Sequence, residues 1–109
     1  MRMYRRGDSH LFCGHWNGSP VEIGFLPEPL RRVPEGEVLH YHDYCEYYVM
    51  LDGFAELEVE GETVPLQADT VVMVEPGERH RVRCVDPDVG ARWVIIKQRS
   101  EPNSKHVDG

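Results

Sequence analysis

Short apolar runs alternating with polar residues recur along the whole chain, and none keeps the spacing of an amphipathic helix. Gly, Pro and Asp interrupt the runs at short intervals, as turns between strands require. The pattern predicts strands over Leu11–Trp16, Val21–Leu26, Val38–His42, Glu46–Leu51, Ala55–Val59, Thr63–Leu66, Thr70–Val74, His80–Val85 and Arg92–Lys97. Asp52-Gly53, set between Tyr47–Leu51 and Phe54–Val59, reads as a two-residue type I′ hairpin turn, because both residues tolerate positive φ. Gly61-Glu62 is expected to close the next hairpin. Pro65 lacks an amide proton and marks its strand as an edge or a distorted one. Many short strands with frequent turns favour an all-β sandwich or barrel with little helix. Residues 11–99 are expected to form one barrel domain. Residues 1–10 would be loose or would exchange as a strand with a second subunit, and 100–109 would be a polar tail.

Composition narrows the partners. A chain of 109 residues, 40% hydrophobic and 28% charged, has room for one core. Its 19 acidic and 12 basic residues give a net charge of −7, which opposes binding to a nucleic-acid backbone. Basic residues do cluster at Arg2, Arg5 and Arg6, and at Arg79, Arg81 and Arg83. The second group alternates along a predicted strand, as a solvated face would. Three cysteines without a CxxC pair read as reduced thiols in a cytoplasmic protein. The longest apolar runs, such as Val71–Val74 and Trp93–Ile96, are too short to cross a bilayer, and the polar N-terminus has no secretory apolar region. A small molecule or a protein partner suits such a chain better than a membrane.

The candidate chemistry lies in Gly36–Glu46 and Glu75–His80. Side chains two apart on a strand share a face, so His40 and His42 project together, away from Leu39 and Tyr41. A break at Asp43-Tyr44 lets Glu46 open the next strand and approach the two imidazoles. Glu46 begins an otherwise apolar run, where a carboxylate needs a partner. Pro76-Gly77 specifies a tight turn, and a sheet closed on itself can bring His80 across from the first pair. Three imidazoles and one carboxylate suit one divalent transition metal per chain: Fe, Mn, Ni, Zn, Co or Cu. His10, His15 and His106 stand outside this constellation.

His40, His42, Glu46 and Gly53 match the spacing of the first cupin motif, and Gly77 with His80 matches the second, so the chain resembles the cupin superfamily. It departs from the pattern at Pro34 and Asp69, where glycine is usual, at Pro76, displaced from position 75, and at Cys84, where asparagine is typical. The resemblance implies a jelly-roll barrel, His40, His42, Glu46 and His80 as the four metal ligands, and assembly as a homodimer. The N-terminal strands and Trp93–Lys97 are the suspected interface.

Strand parity adds a pocket of Val38, Tyr48, Met50, Val82 and Cys84. Tyr48 is a candidate to orient a substrate or donate a proton, against the plainer role of a core aromatic. Cys84 is expected as a compact core residue. On the last strand, either Trp93 and Ile95 or Val94 and Ile96 face inward. An apolar pocket without an uncommitted base favours a dioxygenase acting on a small oxygenated or thiol-containing metabolite. The alternatives are an isomerase or lyase acting on a sugar or small acid, with Glu56 or Glu58 reaching inward, and a non-catalytic small-molecule binding module.

Overall fold

One long strand organises the molecule. The structure, a computed structural model, describes residues 1–25 and 27–107; the last residue of the expected strand Val21–Leu26 and the last two of the tail lie outside them. The strands are β1 (Leu11–Cys13), β2 (Glu22–Phe25), β3 (Glu46–Val59), β4 (Glu62–Gln67), β5 (Val71–Val74), β6 (His80–Val85) and β7 (Ala91–Lys97). The only helical element among the described residues is a 3₁₀ turn at His15–Asn17, where the sequence pattern suggested strand.

Strand β3 is 14 residues long and merges two expected strands. Its first half pairs antiparallel with β5 and β7, and its second half with β4 and β6. Strands β1, β2, β7, β3 and β5 thus form one sheet, while β4, β3 and β6 form the other. This is the expected all-β jelly roll. The core between the sheets contains Tyr48, Met50, Ala55, Leu57, Leu66, Val74, Val82, Val85 and Ala91.

The hairpin expected at Asp52-Gly53 is absent. Gly53 takes φ 82°, and the register against β7 slips between Met50 and Asp52, so the residue bends a continuous strand from one sheet into the other. The true two-residue turn is Glu60-Gly61, one position before the expected pair. Both residues have positive φ, and Val59 faces Glu62 in the ladder. Pro65 lies on β4, which among the described residues pairs only with β3 and is an edge as expected.

A second irregularity turns Cys84 outward. Strand β6 opposes β3 with Val82 facing Leu57 and Cys84 facing Glu56, leaving Arg83 as an extra residue. Alternation therefore flips after Val82, so Val85 is buried and Cys84 is exposed. Cys84 is not a pocket residue. Arg81 and Arg83 point outward as expected, toward Glu58 and Thr63 respectively.

Candidate metal centre and its cavity

Neighbouring backbone pairings place each of the four expected ligands. His40 and His80 exchange backbone hydrogen bonds of 3.1 and 2.8 Å and so lie directly opposite each other. Val38–His42 does not form a ladder strand. It is held by single bridges, with His40 facing His80 and Tyr41 facing His106, and alternation still sends His40 and His42 inward. Glu46 opens β3 between β5 and β7. The turn before His80 has Pro76 and Gly77 at its centre. A Glu78 N–H bond to the Glu75 carbonyl and φ 82° at Gly77 give it the form of a type II turn.

His40, His42, Glu46 and His80 are all buried, and their potential ligand atoms lie within 4.8 Å of one another. The imidazole orientations are set by carbonyls: Nδ1 of His40 donates to Val38 O (2.8 Å), His42 to Ser104 O (2.9 Å) and His80 to Glu78 O (2.9 Å). Each Nε2 is thereby turned toward the cluster, as metal-ligating histidines require. Glu46 Oε1 lies 3.0 Å from His80 Nε2, and Oε2 lies 3.5 Å from His42 Nε2.

The donor set fits a metal. The buried His42 Nε2 has no hydrogen-bond partner, a costly state for a polar atom that a cation would satisfy. Burial, partly offset by the bond to Val38, lowers the His40 pKa to about 4 and keeps that imidazole neutral for ligation. Burial acts to raise the Glu46 pKa, but the imidazoles of His42 and His80 outweigh it and hold the carboxyl well below its usual range. Burial likewise opposes charge on His80, yet Glu46 prevails and raises its pKa.

A cavity of about 440 Å³ opens onto His40, His42 and Glu46, a volume suited to a small organic ligand. Tyr48 and Val82 line it; Met50 is buried in the adjoining core. Burial and the Glu46 carboxylate hold the Tyr48 phenol well above its usual pKa, in the neutral form. Val38 is 40% exposed and off the cavity wall, because the chain there has left the sheet; it contributes a carbonyl to His40 instead. On β7 the open choice resolves to Trp93 and Ile95 facing inward.

The sheet row that continues from Glu46 across β7 and β2 carries proton-active groups that the sequence pattern did not expose. Glu22 and Lys97 are partners across β2 and β7, with Lys97 Nζ 2.9 Å from Glu22 Oε2, and both line the cavity with His10. His10 is solvent-exposed, and partial desolvation first and Lys97 second lower its pKa, leaving the imidazole neutral at pH 7. The local signal was a single charge at the inward parity of each apolar strand, Glu22 before Ile23 and Lys97 after Ile96. Glu56 and Glu58 face outward toward Cys84 and Arg81, so neither reaches inward. His15 bonds Ser100, and His106 pairs with Asp43, so both lie outside the ligand cluster.

The relatives agree with this architecture. A Streptomyces cyaneus protein named polyketide synthase CurC is 38% identical over 83% of this chain and 62% of its own length. The Streptomyces glaucescens tetracenomycin polyketide synthase protein TcmJ is 33% identical over 78% of this chain and 58% of its own length. The chain thus spans about 60% of the length of these relatives. A cupin protein from Bacteroides fragilis superposes over 100% of this chain and 92% of its own with a TM-score of 0.67 at 16% identity, a likeness of fold. The profile of the cupin domain matches residues 30–97, which contain every residue of the ligand cluster, and the chain belongs to the cupin domain family.

Proposed function

We propose that this chain is a metal-dependent enzyme promoting enolate chemistry on a small carbonyl compound of the polyketide type, isomerising, condensing or cleaving it without net oxidation. His40, His42, Glu46 and His80 would hold one divalent transition metal, which when bound supplies Lewis-acid polarisation of a carbonyl oxygen. The observation that carries the reading is the wall of His10, Glu22 and Lys97 on the cavity that reaches the ligand cluster. It supplies the uncommitted base on which an isomerase or lyase depends.

The neutral His10 imidazole takes the α-proton, and the Glu22 carboxylate, paired with Lys97, offsets the positive charge that the ring acquires. Trp93 and Ile95 wall the substrate from water, while neutral Tyr48 donates a hydrogen bond at the inner end. Two relatives carry polyketide synthase names, and carbonyl groups spaced along a polyketide chain are enolisable.

Metal-loaded protein is expected to speed deuterium exchange α to the carbonyl of cyclohexanone, followed by proton NMR, with no oxygen uptake at an electrode. His10→Ala should slow that exchange about 100-fold. Oxygen consumption coupled to substrate loss would establish instead the dioxygenase reading, which the apolar Trp93, Ile95 and Val82 lining favours. Saturable binding without exchange or oxygen uptake would leave a binding module.

The homodimer reading also belongs here. The outer face of the larger sheet is apolar across four strands, in the cross-strand rows Ile23, Ile96, Tyr47, Met73 and Phe25, Val94, Val49, Val71. Val71 is 60% and Met73 45% exposed, and the face suits burial against a second copy. Sedimentation is expected to show a species of twice the chain mass, and the double variant V71K/M73K should sediment as a monomer. A monomeric parent protein at high micromolar concentration would refute it. No helix among the described residues is long and apolar enough to cross a membrane.

A further inference from the structure

Residues 104–106, within the expected polar tail, lie against the ligand segment. Ser104 O accepts the bond that orients His42, although the two residues are 62 positions apart. His106 exchanges two 2.9 Å backbone bonds with Tyr41, stacks on its ring at 4.9 Å and pairs with Asp43 at 2.8 Å. Residues 104–106 therefore form a strap beside the ligand segment, and Lys105 between its two anchors lines the cavity.

The other cations lining the cavity are already committed: Lys97 to Glu22 and Arg92 to Asp52. Lys105 has no carboxylate partner among the described residues. Of the other acids lining the cavity, Glu37 accepts the Val82 N–H at 3.0 Å, and Glu35 is exposed to solvent. Three neutral imidazoles and one carboxylate would also leave a bound divalent cation with a positive charge not fully offset. Both charges favour an anionic ligand.

The geometry points to Lys105 as a specificity-determining residue that binds a carboxylate on the carbonyl substrate, held in place by the C-terminal strap. The inference rests on the proposed carbonyl site, and it selects keto acids over neutral ketones within that class. Because the side chain is exposed, its substitution leaves the fold intact.

The test is the affinity of the zinc-loaded full chain for levulinate, a keto acid, against its neutral methyl ester, read by calorimetry. The unmodified protein is expected to prefer levulinate about tenfold. Lys105→Gln should abolish the preference, Lys105→Arg should keep it, and Lys105→Glu should reverse it. A preference that persists in Lys105→Gln would overturn the inference, since the metal alone would then select the carboxylate. Failure of the unmodified protein to bind either probe overturns it too. Cyclohexanone exchange, which involves no carboxylate, tests the enolate reading separately. Exchange without a Lys105-dependent preference removes only the keto-acid inference. The preference without exchange removes only the enolate chemistry.

Discussion

Glu46→Gln is expected to weaken divalent-metal binding by at least about 100-fold while the barrel stays folded. Glutamine keeps the size of the side chain but removes the negative charge that offsets the cation. It also leaves one carbonyl acceptor where Glu46 offers two charged oxygens, at 3.0 Å from His80 and 3.5 Å from His42, and puts an amide donor in place of the other. Because Glu46 is 3% exposed, solvent cannot replace those contacts, and the metal-free variant should lose on the order of 1–3 kcal/mol. Binding linkage enlarges the difference: metal at about 100 times its dissociation constant adds about 2.7 kcal/mol to the unmodified protein and little to the variant. Isothermal titration with Zn(II) or Co(II), alongside thermal melts with and without metal, measures both effects. Glu56→Gln, on the outward face of the same strand, is the control. Equal stoichiometry and affinity in the Glu46 variant and the unmodified protein would remove Glu46 from the ligand set.

Gly53→Ala is expected to cost on the order of 3 kcal/mol or more, a large share of the roughly 5–15 kcal/mol that stabilises a typical domain. Two costs combine. The residue sits at φ 82°, where a side chain adds about 1–2 kcal/mol of strain. Its Cβ would also lie 2.0 Å from Gly90 O and 2.7 Å from the Ala91 Cα, and backbone cannot move aside without breaking the ladder between β3 and β7. Gly61→Ala separates the two costs, because Gly61 has nearly the same φ of 81° and nothing within 4 Å of an added Cβ. Urea unfolding should show a small loss for Gly61→Ala and a much larger one for Gly53→Ala. Equal losses would mean that the approach of β3 to Gly90 carries no weight.

Gly53 also shows where local reading ends. Asp-Gly between two alternating runs is the same signal whether the chain reverses or bends, since both need positive φ at the glycine. The partners decide between them. Here β7 continues alongside β3 through Gly53, facing it with Ala91, so the strand runs on and changes sheet. Cys84 fails for a related reason: parity counted from His80 is correct through Val82 and is reversed by the extra residue Arg83, which only the pairing with β3 reveals.

The sequence by itself determined the parts that depend on alternation within an unbroken stretch. His40 with His42, and Glu46 with Tyr48 and Met50, fall on buried faces because a strand repeats every two residues and one face must leave water. Pro76-Gly77 determined the turn that starts His80 inward, because ring closure and positive φ are local properties. Tertiary structure alone decided the rest. It paired Glu22 with Lys97 across neighbouring strands, left Val38 outside the cavity, and laid residues 104–106 along the ligand segment so that Ser104 orients His42 and Lys105 faces the cavity. Those contacts join residues far apart in the chain, and their energy comes from satisfying buried charges and carbonyls, which no local period encodes.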